Sequence, residues 1–546
     1  MTEIGKRIER ERQVLSTMLL TDYAYRQLPG DFSAEDFQAE DYRILFRKIK
    51  IEYIDTGQPC RLIRLGLKYP ELQALISDVT SPPTVLDGEF RARASALKIH
   101  PSLALTDMGN SERYVRLYGG VVRFNQSSNR WYVWNGSYWQ EDVEGRVVEF
   151  AKQTVRAIYG EAETGTNEDE RRKIAKFAMI SESRKRITDM LHLSQTTTGV
   201  AVTSEQLDTN PYLLNLRNGT IDLRTGIFKG HSHADLITKH TDVVYDPDVS
   251  APFWNQFLRK VFGDSEEVIR MVQRCVGYSL TGDTSEQCLF FCYGTGKNGK
   301  TVFFEVMKLL FGDYWQKAPA EMLMLRPNEG ILNDVARLHG ARLVVCSEVQ
   351  EGRRLNEAKL KDLTGGDTVV ARYLYHESFE FKPIHKLWMY GNHKPVIHGT
   401  DEGIWRRIKV IPFTVTIPEG ERLPMRILLE QLKAELAGIL NWALDGLREY
   451  EEIGLSPPEE VTQATGVYRE EMDVLSEFFR EKCVLQTSAS VRLKDLYAAY
   501  SEWCASNGET PLRSRQFNDR IRKDGFTTST GHGNYRVWQG IGLVAV

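Results

Sequence analysis

The spacing of apolar residues divides the chain into helical and strand-rich regions. Residues 1–77 carry apolar positions at helical spacing, as in the stretch 14–19. After Asn110, short strands rich in aromatic residues surround Asn135-Gly136, a pair typical of a hairpin turn. Apolar residues between 429 and 447 again recur at helical spacing and predict one buried helix.

Three apolar runs of strand length each lead into polar residues. They cover residues 288–293, 342–348 and 386–392. The first run precedes a Gly-rich loop, and residues 302–311 after that loop have the apolar pattern of a helix. A strand, a loop and a helix in this order predict a nucleotide-binding α/β domain with a parallel sheet.

Segments rich in turn residues and proline separate these regions, at 80–83, 106–110 and 457–458. They predict an ordered series of domains and linkers. The series is a helical domain at 1–77, a linker at 78–109, an α+β domain at 110–250, the α/β domain with a helical lid at 251–455, a linker at 456–472 and a C-terminal domain at 473–546.

Composition narrows the classes of protein that fit. The 546 residues carry 70 basic and 74 acidic side chains, a net charge of −4, so nucleic-acid binding must come from local patches. No apolar run reaches the ~18 residues of a membrane helix, and the N-terminus has no apolar signal segment. Seven scattered cysteines do not form a disulfide framework. We therefore expect a cytoplasmic protein without a membrane partner.

The segment 294–301 matches the phosphate-binding pattern GxxxxGK[ST] and predicts an ATP site. Glycines at three positions let backbone N–H groups turn toward phosphates, Lys300 reaches the β and γ phosphates, and Thr301 is a ligand for Mg²⁺. The predicted nucleotide-binding residues are Gly294, Thr295, Gly296, Lys297, Asn298, Gly299, Lys300 and Thr301.

Residues for ATP hydrolysis follow in a sensible order. Glu348 ends the second apolar run and is expected to polarise the attacking water and to help hold Mg²⁺. Asn392 ends the third run and can hydrogen-bond both γ-phosphate and water. Arg406 and Arg407 are suited to reach the phosphate of a neighbouring subunit. A surface glutamate at a strand end is the alternative for Glu348.

This ordered set resembles the superfamily 3 helicases of the phage and plasmid primase-helicase group, which are related to the poxvirus type. The group has motifs similar to 360–367, which contains Lys361 and Asp367, to 391–395 and to 405–407. The resemblance covers about residues 110 to 546. It implies an AAA+ motor with its parallel sheet and phosphate loop, an α+β middle domain and a C-terminal winged helix.

The same resemblance implies a homo-hexamer that moves 3′ to 5′ on single-stranded or forked DNA in the replication of a mobile element, with a bacterial host. The DNA-contacting hairpin should be 369–381, with Arg372, Tyr375 and His376 near its tip. A solvated hairpin is the alternative. Residues 1–77 resemble the all-α N-terminal domain of DnaB-type helicases, which implies a contact with a separate primase.

The C-terminal segment has its own basic pattern. Residues 493–505 and 513–523 predict two helices, followed by a hairpin at 526–538, which is a winged-helix pattern. On the second helix Phe517 and Ile521 should face the core. The remaining basic side chains should then face outward toward DNA: Arg513, Arg515, Arg520 and Lys523. A merely solvated basic helix is the alternative.

Two other functions share these features. One is a replication initiator that uses ATP to assemble on an origin with little unwinding. The other is a nucleic-acid-stimulated AAA+ ATPase in defence or packaging. All three need the same ATP and Mg²⁺ site, so the motifs do not separate them.

Overall fold

The computed structural model describes most of the chain beyond residue 102. The described residues are 103–163, 165–325, 333–347, 350–372, 378–397, 402–507, 511–530 and 535–544, with Leu15, Tyr42, Leu45 and Phe46. The domain predicted at 1–77 thus lies almost wholly outside them. Two compact units divide the chain, Met1–Asn210 with Gly230–Lys239, and Pro211–Lys229 with His240–Val546. Residues 211–229 and 240–250, predicted to belong to the middle domain, thus fall in the same unit as the α/β sheet.

In the first unit, helices cover a small sheet of order β3-β2-β1-β4. Its elements are α1 (Asp107–Tyr118), β1 (Val122–Asn125), β2 (Arg130–Trp134), β3 (Trp139–Glu141), α2 (Arg146–Ala162), α3 (Glu168–Ser181), α4 (Arg184–Ser194) and β4 (Ala201–Val202). Trp134 pairs with Trp139 across the predicted turn, where Gly136 has a φ of 101°. Residues 106–109, the predicted end of the linker 78–109, lie at the start of α1, where the Thr106 hydroxyl accepts the Gly109 N–H at 3.1 Å and caps the helix.

In the second unit, a five-stranded parallel sheet has the order β14-β8-β13-β10-β9. The elements up to β10 are β5 (Leu213–Leu216), β6 (Gly219–Asp222), β7 (Phe228–Lys229), α5 (Pro252–Phe262), α6 (Glu266–Leu280), β8 (Leu289–Tyr293), α7 (Lys300–Phe311), β9 (Trp315–Pro319), α8 (Asn333–Ala336) and β10 (Leu343–Ser347). From there to β14 they are α9 (Glu357–Thr364), β11 (Val369–Arg372), β12 (Ser378–Phe381), β13 (Lys386–Gly391), α10 (Glu402–Trp405) and β14 (Ile408–Pro412).

The three apolar runs of the sequence form neighbouring central strands. Gly391 pairs with Tyr293, and Ser347 pairs with Tyr390, so β8, β13 and β10 end at the same edge of the sheet. Aromatic side chains fix α7 against this sheet, since the Phe303 ring lies 6.1 Å from that of Trp388 and 5.8 Å from that of Trp254 on α5. The loop between β8 and α7 is thereby held at the carboxyl edge.

The lid region 425–453 consists of two helices, α11 (Met425–Ala434) and α12 (Leu436–Ile453), and the prediction of one helix was wrong. The break lies at Glu435, whose carboxylate accepts the N–H groups of Phe253 at 3.1 Å and Trp254 at 2.9 Å. A negative side chain at these first-turn N–H groups of α5 satisfies orphan donors and favours the helix dipole.

Helices α6 and α12 touch through their backbones. A Cβ atom at Gly277 would lie 2.2 Å from the Leu447 nitrogen, and one at Gly446 would lie 2.2 Å from the Gln273 carbonyl oxygen. Arg274 fixes the end of this contact, because its guanidinium donates to the carbonyl oxygens of Leu455 and Ser456 at 3.0 Å each. The two helices therefore form one closely packed pair.

Residues 456–472, predicted as a linker, contain helix α13 (Glu459–Glu471). Its Val461 and Tyr468 side chains are each 1% exposed, and α13 packs on β14. The proline pair at 457–458 marks the start of this helix, which the prediction missed.

The described residues of the C-terminal subdomain, 473–507, 511–530 and 535–544, form three helices and a sheet of order β15-β17-β16. Its elements are α14 (Val474–Lys482), β15 (Cys483–Arg492), α15 (Leu493–Asn507), α16 (Ser514–Lys523), β16 (Thr527–Thr530) and β17 (Arg536–Leu543). Phe517, Ile521 and Trp538 are fully buried in its core, as the sequence predicted for the first two. No helix among the described residues has the length and apolar character to cross a membrane.

Candidate nucleotide site and nucleic-acid interface

The Gly-rich loop, residues 294–299, has a conformation that requires its glycines. Gly296 and Gly299 have φ values of 109° and 84°, in the left-handed region that favours glycine. Gly294 lies so close to β14 that a Cβ atom there would be 2.2 Å from the Phe413 carbonyl oxygen. The loop therefore turns tightly from β8 into the first turn of α7, where backbone N–H groups have no intrahelical acceptor.

Lys300 is the buried cation of this loop. Its Nζ atom donates to the Gly294 carbonyl at 2.6 Å, to Asn298 Oδ1 at 3.1 Å and to Asn392 Oδ1 at 3.2 Å. These three acceptors match the three protons of an ammonium group. Burial lowers the pKa of Lys300 from its ordinary value, because a low-dielectric environment disfavours the charged form. A bound phosphate would favour that charged form again.

Asn298 fixes the loop to the end of β14. Its side chain is 3% exposed, and its Nδ2 atom donates to the Phe413 carbonyl at 2.9 Å while Oδ1 accepts from Lys300. The sequence assigned Asn298 only to the nucleotide-binding pattern and gave no sign of this link. Lys300 is therefore oriented by Asn298, which is bound to the residue after β14, and by Asn392, which follows β13. Both strands are neighbours of β8 in the sheet.

A cavity of about 390 Å³ opens at the loop. Its walls are residues 296–302 from the loop and α7 and residues 390–393 from the end of β13. Asn392 thus lies beside the loop, as its position after a neighbouring parallel strand predicted. The structure brings together a helix N-terminus, an ammonium group and an amide side chain in one cavity.

Thr301 lines the same cavity and offers a hydroxyl oxygen, a hard ligand that suits Mg²⁺. Glu348, the other predicted Mg²⁺ ligand, follows β10 in the sequence and lies outside the described residues. Among the residues that are described, no three His, Cys, Asp or Glu side chains group as a metal site. The Thr301 hydroxyl would suit a Mg²⁺ ion that takes few protein ligands and completes its coordination shell with phosphate oxygens and water.

A second hollow, of about 580 Å³, lies at the carboxyl ends of β9 and β10. Glu321, Glu351 and His393 line it, and His393 also lines the cavity at the Gly-rich loop. His393 belongs to the motif 391–395 predicted from the sequence, whereas Glu321 and Glu351 were not predicted to be site residues. Their position along the chain could have indicated them, because each lies within a few residues of the end of a strand of the parallel sheet: Glu321 after β9, Glu351 after β10 and His393 after β13.

Arg406 and Arg407 lie at the opposite edge of the sheet, just before β14. Since β14 has five residues, this edge is about 17 Å from the Gly-rich loop of the same chain. The Arg406 side chain is exposed and donates to Gln287 Oε1 at 2.7 Å. Arg407 is 8% exposed and donates to the Gly403 carbonyl at 2.7 Å and to Thr364 Oγ1 at 3.2 Å. Neither lines the cavity at the loop.

The other predicted motor residues are spread over α9 and the β11–β12 hairpin. Lys361 is half-buried on α9, and Asp367 is exposed after it; neither lines the cavity at the Gly-rich loop. The predicted hairpin is present, since Val369 pairs with Phe381 and Arg372 with Ser378. Arg372 is exposed at its end. Tyr375 and His376 lie outside the described residues.

On α16, Arg513, Arg515 and Lys523 are exposed, as expected from the sequence. Arg520 differs from the expectation of an outward side chain. It is 19% exposed and forms ion pairs with Asp473 at 2.9 Å and Asp524 at 3.3 Å. Arg520 therefore holds α16 to the start of the C-terminal subdomain, and three basic side chains remain for a ligand.

The fold and the cavity define an α/β protein with a Gly-rich loop at the edge of a parallel sheet and with an appended C-terminal subdomain. Three families match segments of it: "D5 N terminal like" over residues 111–263, "Family of unknown function (DUF5906)" over 292–407 and "Poxvirus D5 protein-like" over 470–529. Two of these matches are to D5-type families, so the chain is similar to D5-like proteins over residues 111–263 and 470–529.

Relatives from large DNA viruses bear related names. The chain is 28% identical over 414 residues to "Putative helicase L207/L206" of Acanthamoeba polyphaga mimivirus, which covers 70% of this chain and 43% of the relative. It is 30% identical over 270 residues to "Putative helicase 022R" of Frog virus 3, covering 46% and 28%. "Putative primase C962R" of African swine fever virus is 24% identical over 332 residues, covering 56% and 34%. The chain thus matches less than half the length of these relatives.

Among solved structures, the chain is similar to the apo form of the NrS-1 C-terminal region. The sequence identity is 12% and the TM-score is 0.41, with 79% of this chain and 99% of that chain covered.

Proposed function

We propose that this chain is an ATP-dependent DNA helicase that acts in the replication of a viral or other mobile genome. One observation carries the proposal. Lys300, the first residue of α7 after β8, and Asn392, which follows the neighbouring parallel strand β13, meet in a cavity at the N-terminus of α7. A phosphate chain placed on those N–H groups would have the lysine and the amide at its γ end.

In this mechanism the loop N–H groups and Lys300 hold the β and γ phosphates. Thr301 would help to hold a Mg²⁺ ion, which would neutralise charge on the phosphate oxygens. Glu348 polarises the attacking water, and Asn392 orients that water against the γ-phosphate. Lys361 and Asp367 belong to the motor without touching the phosphates.

Hydrolysis is completed by an arginine from a neighbouring subunit. Arg406 is exposed and lies about 17 Å from the loop of its own chain by strand length, so it is the arginine that serves a site on another chain, whereas Arg407 is buried. This supports a homo-hexameric ring. The β11–β12 hairpin with Arg372, Tyr375 and His376 contacts single-stranded DNA in that ring, which moves 3′ to 5′. The first 77 residues contact a separate primase.

The C-terminal subdomain is proposed to be a winged helix that binds duplex DNA through α16. Replacing both Arg513 and Arg515 by alanine should weaken duplex binding and lower the slope of log affinity against log salt by about one unit per lost phosphate contact. Fluorescence anisotropy over a range of salt concentrations measures both. The matched control replaces the exposed Arg480 and Lys482 of α14 by alanine, with the same loss of charge. An unchanged slope in the first variant would remove α16 from the interface.

A strand-displacement assay tests the whole proposal. Forked DNA with a 3′ tail should be unwound in the presence of ATP and Mg²⁺, and DNA with a 5′ tail should not. ATP hydrolysis without unwinding of either substrate favours an origin-binding initiator. Hydrolysis that DNA does not stimulate, again without unwinding, favours an ATPase of defence or packaging.

A further inference from the structure

Helix α13 contacts parts of the motor that surround the nucleotide site. Thr465 Oγ1 accepts the Val410 N–H of β14 at 3.1 Å. The Tyr468 hydroxyl donates to the Pro395 carbonyl, and its ring lies 5.4 Å from that of Trp405 at 85°. One helix therefore contacts both the segment that follows Asn392 and the segment that precedes Arg406.

Lys394, two residues after Asn392, is bound to the end of α13. Its Nζ atom lies 2.5 Å from Glu471 Oε2 and 4.8 Å from the centre of the Tyr293 ring. The Lys394 side chain is only 14% exposed, so solvent and salt screen this ion pair less than an ordinary surface pair. Tyr293 is the last residue of β8, directly before the Gly-rich loop.

A second ion pair continues from the same place. Asp473, two residues beyond Glu471, accepts Arg520 of α16 at 2.9 Å, and both side chains are about one-fifth exposed, at 22% and 19%. Asp473 also accepts the Ser476 N–H at 3.2 Å and so caps α14. Asp473, which binds Arg520 of α16, thus lies in the short connection between α13 and α14.

We propose that Lys394 and Glu471 are positioning residues that couple the nucleotide at Asn392 to DNA on α16. The inference rests on the proposed function. All three Lys300 protons have acceptors, so an incoming γ-phosphate must displace at least one, and Asn392 is the acceptor outside the loop. A shift of Asn392 moves the short segment that carries Lys394. The ion pair passes that shift to the end of α13 and, through Asp473, to Arg520.

Coupling between two sites is reciprocal, which makes the proposal measurable. In the full-length protein a non-hydrolysable ATP analogue should change duplex affinity by the same factor, about fivefold or more, by which duplex changes analogue affinity. Glu471→Gln and Lys394→Met should bring this factor close to 1. Each affinity measured without the other ligand should change less than twofold, which a general loss of structure would not produce.

Two variants serve as controls. Lys394 lies over the Tyr293 and Tyr468 rings, 4.8 and 5.4 Å from their centres, so Lys394→Arg keeps a cation there and should keep the coupling factor. Arg448→Met removes an exposed ion pair with Asp445, 2.5 Å long, and should also keep it. If Lys394→Met does not fold, Glu471→Gln decides.

The outcomes separate this inference from the function beneath it. A wild-type protein that binds no ATP analogue would overturn the proposed function. A wild-type protein that binds analogue and duplex without coupling, or a Glu471→Gln protein with full coupling, would overturn the role of the ion pair and leave the function standing.

Discussion

Lys300→Ala is expected to abolish ATP-dependent activity, with a fall in ATP turnover of at least about 10²-fold. The variant removes the only buried ammonium group among the residues that line the described cavity, and it leaves Asn298 and Asn392 without their shared donor. The γ-phosphate then lacks its fixed positive partner. Phosphate release in a steady-state assay, with and without single-stranded DNA, measures the loss.

Lys308→Ala is the matched control for this variant. Lys308 lies on the same helix, is exposed, and carries the same charge, so its loss should leave turnover within about twofold. Turnover near the wild-type value in Lys300→Ala would refute the assignment of the Gly-rich loop as the ATP site.

Arg406→Ala is expected to lower turnover about 10³-fold without destabilising the fold, in line with the contribution of arginine fingers to phosphoryl transfer. Its side chain is exposed and donates a hydrogen bond to Gln287 Oε1. Arg407→Ala has a different expected effect. Arg407 is buried and donates to several groups, so its loss should lower the melting temperature, because buried acceptors lose a charged donor.

Mixing experiments test whether Arg406 acts on a neighbouring chain. Rings that combine Arg406→Ala and Lys300→Ala subunits contain some interfaces with an intact loop and an intact arginine, so mixtures should recover activity that neither variant has. Circular dichroism melting curves show whether each variant is folded. A folded Arg406→Ala protein with full turnover, or mixtures that stay inactive, would exclude catalysis by this arginine across subunits.

The sequence predicted the central strands of the parallel sheet and the β11–β12 hairpin correctly. It did not predict several elements that surround this sheet. Runs 288–293 and 386–392 form adjacent parallel strands. A short apolar run that ends in a Gly-rich loop or a polar residue is typical of a buried strand in a parallel sheet, which is why the sequence predicts them. The hairpin 369–381 was predicted with its ends correct. These features depend on the spacing of apolar and turn residues within short segments, which can be read from a single sequence.

The errors arose where distant contacts decide the structure. Nothing local shows that Glu435 caps α5 across more than 180 residues and breaks the lid into two helices. Likewise, Arg520 looks like its basic neighbours until Asp473 is placed against it. The roles of Asn298 and Lys394 depend on Phe413 and Glu471, which only the fold brings near.

The glycine contact between α6 and α12 limits how these two helices can move relative to each other. Side chains that interdigitate can slide by changing rotamer, but two backbones in contact have nothing between them to yield. Helix α12 is then carried as part of the rigid base together with α6. A rearrangement that separated α12 from α6 would have to break this backbone contact, so the two helices are expected to move as one body.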